Sequence, residues 1–159
     1  LWYSTNISDT NHEWTKISDF WDNLAITAIA SDPTDSNIIY VGTGEKIGMG
    51  NIGLGIWKTS DGGANWTDLS IATDSDGNPF GDYQGSMAYW GHIGVDPNDG
   101  NTVYVGGGLH IYKSTDSGSS WTQMSNWFNT NTLPYVHADQ HNHAFIDSDN
   151  ILFKLLANI

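Results

Sequence analysis

Short segments in which apolar and polar residues alternate recur along the chain, and Gly, Asp, Asn or Ser residues separate them. Residues 56–58 (IWK) lead through TSDGGAN into Trp66, and residues 111–113 (IYK) lead through STDSGSS into Trp121. Such alternation predicts half-buried strands, and a Gly-containing turn between two of them predicts a hairpin. No apolar run approaches the ~20 residues of a membrane span, so we expect no membrane insertion.

The two turns repeat the same residue types at the same spacing. The shared positions are Thr59, Asp61, Gly63 and Trp66 in the first turn and Ser114, Asp116, Gly118 and Trp121 in the second. Hydroxyl and carboxylate oxygens accept hydrogen bonds from backbone N–H groups in tight turns, Gly tolerates positive φ, and Trp buries a large ring. We therefore predict a structural role for all eight residues.

A second phrase also repeats. ITAIASDPTDSNIIYVGTGE, from Ile26, is echoed by WGHIGVDPNDGNTVYVGGGL, from Trp90, at an offset of 64 residues, against 55 for the turns. We attribute the difference to an insertion between Leu69 and Trp90. Fainter copies lie near both ends: Trp14 closes a longer turn, and HAFIDSDNILF resembles HIGVDPNDGNTVY.

Four antiparallel strands in each repeat of roughly 50 residues are typical of a β-propeller blade. We therefore predict an all-β fold: a β-propeller fragment of about two full four-stranded blades and two half blades, whose remaining blades belong to the parent chain. The predicted units are the end of one blade (1–25), a blade with an insertion loop (26–89), a second blade (90–135) and a truncated start of a third (136–159). Because the pattern breaks after Phe153, we expect a truncation or reading-frame change near Lys154, which leaves KLLANI outside the native blade.

The repeated turns resemble the Asp-box (BNR) repeat of sialidases, sortilin-type receptors and xyloglucan-active propeller hydrolases. YVGTGE, GIWKTSDGGANWT and HADQH together are most similar to secreted bacterial BNR-repeat, sortilin-like propeller proteins. This resemblance implies a complete domain of six or more blades and a secreted or cell-surface location. It also implies that Asp61 and Asp116 lie on outer turns, away from the propeller axis, and have no catalytic role.

The net charge of the chain argues against some classes of binding partner. It has 18 acidic residues and 5 basic ones, all Lys, for a formal net charge of −13. A chain this acidic repels phosphate backbones and anionic membrane surfaces, so we expect no nucleic-acid partner. Because Cys is absent, no disulfide can form.

The segment VHADQHNHAFID carries the densest candidate chemistry. On a regular strand, His137, Asp139, His141 and His143 would share one face. They could form a hydrogen-bonded start of an inner strand, contact a ligand or substrate, or bind a divalent metal ion. Alternate residues stand about 7 Å apart on a strand, which is wide for ligands of one ion, so we predict a binding role without metal or cofactor. His92 occupies the place of His143 in the repeat, which favours a structural role for both.

Two loops carry weaker signals. The Gly-rich stretch 42–55 lacks the G-K-[ST] ending of a phosphate-binding loop, and Glu45 within it is a possible functional carboxylate. DSDGN, from Asp74, resembles the start of a calcium loop, but Pro79 stands where the EF-hand needs Gly. Aromatic residues that could stack on sugars follow it: Phe80, Tyr83, Tyr89 and Trp90.

These features lead to one main functional hypothesis and one alternative. The main hypothesis is a noncatalytic ligand-binding or scaffold propeller with a polysaccharide or protein ligand, a class that includes sortilin-like receptors. The alternative is part of a glycoside hydrolase. A xyloglucanase-type mechanism needs two carboxylates, for which Asp139 and Glu45 are the candidates. A sialidase-type mechanism, as the family resemblance describes it, needs several Arg residues, and this chain contains none.

Overall fold

The computed structural model describes residues 1–17, 26–43, 55–69, 91–106, 110–126, 132–137, 140–146 and 151–156. Its strands form four separate antiparallel sheets. None of the ranges described contains a helix long and apolar enough to cross a membrane.

The sheets follow one another in chain order. The opening hairpin consists of β1 (Trp2–Tyr3) and β2 (Thr15–Lys16). The first four-stranded sheet consists of β3 (Ile26–Ser31), β4 (Ile39–Thr43), β5 (Ile56–Thr59) and β6 (Thr67–Asp68). The second four-stranded sheet consists of β7 (His92–Asp96), β8 (Asp99–Gly106), β9 (Ile111–Ser114) and β10 (Thr122–Gln123). The closing hairpin consists of β11 (Gln140–Ile146) and β12 (Ile151–Leu156).

The main hydrophobic core lies between the two four-stranded sheets. β7 lies beside β3 on one side and beside β11 on the other. Side chains alternate along β7, so Ile93 and Val95 pack towards the first sheet, where Ala28 and Ala30 meet them. The buried members of this core are Tyr40, Ile56, Ile93, Val95, Val103, Val105 and Tyr112. Burial of one Val or Ile side chain stabilises the fold by about 1.5–3 kcal/mol.

Each complete sheet has its four strands in sequence order, and its first strand lies beside the first strand of the next sheet. This is the arrangement of successive propeller blades. The fold predicted from the sequence is confirmed: the chain is an all-β propeller fragment, and its described residues form two four-stranded sheets and two two-stranded ones.

The strand directions give the sheets two distinct ends. At the turn end lie the short connections that follow β3, β5, β7 and β9, and in each four-stranded sheet a hydrogen bond joins the later connection to the chain at the earlier one. Gly62 N donates to Asn37 O (3.0 Å), and Ser117 N donates to Asn101 O (2.9 Å). The opposite end is here called the histidine end, because His92, His110 and His137 lie there, at or before the first residues of strands that run towards the turn end.

The predicted position of the insertion was wrong. Gly42 pairs with Ile56, fourteen positions later, whereas Gly106 pairs with Ile111, only five positions later. That nine-residue difference equals the difference between the repeat offsets of 64 and 55. The extra length therefore lies between β4 and β5, within the first sheet, and not between Leu69 and Trp90.

Candidate functional site

The first repeated turn is held by hydrogen bonds among its own residues. Thr59 Oγ1 donates to Asp61 Oδ1 (2.8 Å) and accepts from the backbone N–H of Gly63 (2.9 Å). Asp61 Oδ1 also accepts from Asn65 N (2.8 Å), and its Oδ2 accepts from Asn65 Nδ2 (2.7 Å). Gly63 has φ of 99°, a conformation that Gly adopts at little cost.

The second repeated turn reproduces these bonds with different side chains. Ser114 Oγ donates to Asp116 Oδ1 (2.7 Å) and accepts from Gly118 N (2.8 Å). Asp116 accepts from Ser120 N (2.8 Å) and Ser120 Oγ (2.6 Å). Ser120 thus takes the place of Asn65, and in both turns this residue donates one backbone and one side-chain hydrogen bond to the carboxylate.

Hydrogen bonding also sets the ionisation of the two turn carboxylates. Bonds from the side chain and backbone of Asn65, and then from Thr59, lower the pKa of Asp61 to about 2. Bonds from Ser120 and then Ser114 lower the pKa of Asp116 to about 2. Both side chains are therefore anionic at neutral pH. A general acid must hold a proton at working pH, so these carboxylates are poorly suited to that role.

Each repeated turn also contacts the preceding sheet. A Cβ atom on Gly63 would lie 2.8 Å from Ile17 Cδ1, and one on Gly118 would lie 2.6 Å from Leu69 Cδ1. Ile17 and Leu69 both come directly after the last strand of their sheet. Trp66 Nε1 additionally donates to Ile17 O (3.1 Å) and Gly63 O (3.0 Å). The turns therefore join neighbouring sheets as well as strands of one sheet.

A further contact at the turn end involves Asp32, which is buried. Its Oδ1 accepts from Thr34 N (2.7 Å) and Thr34 Oγ1 (2.8 Å), and the carboxylate lies against Gly100 of the second sheet. Burial disfavours its charged form, but the bonds from Thr34 and Asp35 and the charge of Lys58 outweigh burial and lower the pKa of Asp32. Asp32 thus belongs to the contact between the sheets.

At the histidine end, the predicted single face of four residues is not continuous. His137 precedes β11, which begins at Gln140, and a register shift between Gln140 and Asn142 interrupts the alternation. A bulge inserts one residue and reverses which side chains share a face. His141 lies in the shifted part of the strand. Asp139 and Glu45 lie outside the described residues, as does the DSDGN loop.

His143 lies between the closing hairpin and the second sheet. Its ring centroid is 4.6 Å from that of His92 and 5.3 Å from that of Phe145, both in edge-to-face geometry. Its Nε2 lies against Gly94, where a Cβ atom would occupy the space of the imidazole. His143 therefore points towards the second sheet and fills the gap that Gly94 leaves.

This contact corrects the predicted equivalence of His92 and His143. On β7, the residues that point towards the preceding sheet are Ile93 and Val95, and His92 points the other way. On β11, it is His143 that points towards the preceding sheet. The two histidines face each other, so they lie on opposite faces of their sheets. The faces of β11 are therefore displaced by one residue from those that the sequence alignment of His143 with His92 predicts.

Burial controls the protonation of His143. Desolvation, and then the charge of His92, lower its pKa to about 3, so the imidazole is neutral at physiological pH. A neutral ring suits the aromatic contacts that it makes. This environment fits packing between sheets better than proton transfer near neutral pH.

Sequence reasoning missed a third histidine at this end. His110 is buried, and Gln123 Nε2 donates to its Nδ1 (3.2 Å) and to Ser125 O (3.0 Å). Ser125 Oγ in turn accepts from Ile111 N (3.1 Å). In the sequence, this network was indicated only by two polar residues, Gln123 and Ser125, which alternate after Trp121.

No group of three or more His, Asp or Glu side chains that could hold a metal ion occurs in the part of the chain that the structure describes.

Comparison with known proteins relates this fold to polysaccharide-degrading enzymes. The chain is 30% identical over 139 residues to a xyloglucanase of Hypocrea jecorina and 27% identical over 139 residues to one of Paenibacillus sp. Each match covers 82% of this chain, but it covers only 16% and 13% of the respective relative. The chain is similar to xyloglucanases. It spans less than a fifth of their length, and no family model matches it.

Solved structures agree with the fold. The chain matches the GH74 enzyme of Niastella koreensis with a TM-score of 0.50 and 29% identity, over 80% of this chain and 17% of that one. It matches an ancestral GH74 enzyme with a TM-score of 0.59 and 20% identity, over 89% of this chain and 17% of that one. The second match supports the β-propeller fold alone.

Proposed function

We propose that this chain is a segment of a secreted β-propeller glycoside hydrolase that acts on xyloglucan or a related β-glucan. The similarity of four-fifths of the chain to xyloglucanases supports this proposal. It favours the hydrolase alternative over the noncatalytic scaffold. The net charge of −13 is compatible with a neutral polysaccharide, because such a substrate carries no phosphate or carboxylate to be repelled.

We assign the repeated turns to the Asp-box type and give them a structural role in this enzyme. The hydrogen bonds of Asp61 and Asp116 are satisfied within the turns, and both carboxylates are anionic. An inverting or retaining glycosidase needs one protonated and one ionised carboxyl group across the scissile bond. The turn carboxylates lie in separate sheets and have the same lowered pKa, so they do not form such a pair.

The histidine end is the better location for substrate. Glu45 follows the last residue of β4 by two positions, and Asp139 immediately precedes the first residue of β11. Both strand termini lie at the histidine end of their sheets. Glu45 and Asp139 lie outside the described residues, and we expect both near these strand termini, at the end opposite the repeated turns. We propose that substrate binds there, with Asp139 and Glu45 as the candidate acid and base.

Xyloglucan hydrolysis by the full-length protein tests this function. Reducing-end release should be measured for the wild type and for Asp139→Asn and Glu45→Gln, with Asp61→Asn and Asp116→Asn as controls on the turns. We expect loss of a general acid or base to lower kcat on the order of 10²-fold or more, and the turn variants to retain wild-type kcat per folded molecule. Binding of xyloglucan without hydrolysis by the wild type would overturn the enzyme proposal and restore the scaffold. Unchanged kcat in Asp139→Asn and Glu45→Gln would reject only these two residues.

A further inference from the structure

The contact between a repeated turn and the preceding sheet uses the same positions twice. Ile17 follows β2 and receives Gly63, and Leu69 follows β6 and receives Gly118. Both Ile17 and Leu69 are half-buried as a result. We use the word seat for the residue directly after the last strand of a sheet, together with the surface around that residue.

A lysine completes the seat on the first sheet. Lys58 Nζ lies 5.5 Å from the ring centroid of Tyr40 and donates to Ser117 O (3.3 Å), the carbonyl that precedes Gly118. Leu69 and Trp121 both pack against the buried core. The seat on the first sheet therefore offers an apolar side chain for the glycine and an ammonium group for the adjoining carbonyl.

The second sheet presents the same surface. Met124 directly follows β10, in the position of Ile17 and Leu69. Lys113 Nζ lies 5.4 Å from the ring centroid of Tyr104, which reproduces the pair Lys58 and Tyr40. Met124 differs from its two counterparts in one respect: its side chain is 42% exposed. In the described part of the chain, no repeated turn lies on this seat.

We infer that the seat formed by Met124 and Lys113 binds a third turn of the same kind, carried by the sheet that β11 and β12 begin. β11 already lies beside β7, so the next sheet stands on the correct side of the second one. The partner is a tight turn with a glycine at positive φ, whose preceding carbonyl accepts from Lys113 Nζ. An apolar thioether suits this contact because methionine adapts to irregular surfaces. The inference depends on the repeat geometry and not on hydrolase activity.

Thiol accessibility in the full-length protein tests the seat. This chain has no native Cys, so Met124→Cys adds one thiol to it. Leu69→Cys supplies a matched position in a filled seat, and Thr122→Cys supplies an exposed position on β10. Labelling by a maleimide should be followed by mass spectrometry on the peptide that carries the new thiol.

We expect the Met124→Cys thiol to react at the rate of Leu69→Cys, on the order of 10-fold or more slower than Thr122→Cys, because a covered thiol reacts only when the contact opens. A Met124→Cys rate equal to that of Thr122→Cys would overturn the proposal. Protection that appears only at high protein concentration would also overturn it, since a second copy would then occupy the seat. Should Leu69→Cys fail to fold, Ile17→Cys provides the filled-seat reference.

Discussion

The carboxylates at the turn end and the histidines at the opposite end of the same sheets make contacts of different range. At the turn end, Asp61 and Asp116 bind donors within four positions of themselves. At the histidine end, His143 meets His92, 51 positions away, and the partner of His110 is 13 positions away. Local bonds let one short sequence specify the same turn twice. The contacts of the histidines depend on how separate sheets pack, so a short local sequence does not specify them.

The difference has a consequence for function. The turns are satisfied by their own residues and leave little capacity for a ligand. The histidine end gathers side chains from different sheets, as sites in propellers and other scaffolds do when loops are carried by rigid elements. This difference is the physical reason for the proposal that substrate binds at the histidine end.

The largest effect is expected at the glycine of the second turn. Gly118→Ala places a residue with a Cβ atom at a backbone φ of 90°. That Cβ atom would lie 2.6 Å from Leu69 Cδ1. The left-handed conformation costs about 1–2 kcal/mol and the steric overlap about 1–3 kcal/mol. We therefore expect urea unfolding to show a loss of about 2–5 kcal/mol in the free energy of unfolding.

Gly62→Ala is the matched control for this variant. Gly62 also has positive φ (68°), but its Cβ would lie 3.6 Å from the nearest atom, Asn37 Oδ1. Only the conformational cost of about 1 kcal/mol remains. Equal losses for Gly118→Ala and Gly62→Ala would show that the turn does not press on the preceding sheet.

The second prediction concerns pH at the histidine end. The folded pKa of His143, about 3, lies below the ordinary value of 6.5, so its contribution to stability is full above pH 6.5 and is lost as pH falls towards 3. By linkage this amounts to about 2 kcal/mol between pH 7 and pH 5. We expect His143→Gln to flatten the stability profile in that window, measured as urea midpoints at several pH values. A parallel profile in the variant would mean that His143 is accessible to water in the folded protein.

The third prediction separates the two turn tryptophans. Trp66 Nε1 donates to two carbonyls, whereas Trp121 Nε1 is buried without a hydrogen-bond partner among the described residues. Loss of a hydrogen bond costs about 1 kcal/mol, and removal of an unpaired buried N–H costs less. Trp66→Phe should therefore destabilise the protein by about 1 kcal/mol more than Trp121→Phe in thermal or urea unfolding. The reverse order would contradict the assigned bonds.

The smallest effect is expected from the turn carboxylates, because both are exposed. Their folded pKa of about 2 lies below the ordinary 3.8, so the stability that they contribute is present above pH 3.8 and is lost as pH falls towards 2. Asp61→Asn and Asp116→Asn should each reduce the loss of stability in that acid range and leave the profile above pH 5 unchanged in shape. Circular dichroism melts at pH 2.5 and pH 5 would show this. If both variants lose as much stability as the wild type between pH 5 and pH 2.5, the two carboxylates do not stabilise the turns.

The sequence was sufficient for the features that depend on local chemistry. The spacing of Thr59, Asp61 and Gly63, repeated 55 residues later, indicated hairpins with self-bonded turns, and the structure confirms these bonds. The paired phrases likewise predicted two four-stranded sheets and a two-stranded unit on each side of them. These features are local because a turn and its flanking strands fold within about 15 residues.

Features that depend on two sheets at once were not predictable. The bulge between Gln140 and Asn142 interrupts the alternation that the sequence predicted from His137 to His143. The close approach of Gly94 to His143, and of Gly100 to Asp32, joins residues from different repeats. A single sequence shows that Gly is present at these positions but not which side chain fills the space. The misplaced insertion was avoidable, because the two offsets locate it: Ile26 and Ile56 are 30 positions apart, whereas Trp90 and Ile111 are only 21 apart.

The division between the two ends is tested most directly by a structure of the full-length protein bound to a xyloglucan oligosaccharide. The account predicts sugar at the histidine end, near the strand termini that flank Glu45 and Asp139, with the turns of Asp61 and Asp116 free of ligand. Sugar bound against the repeated turns, with the histidine end unoccupied, would contradict it.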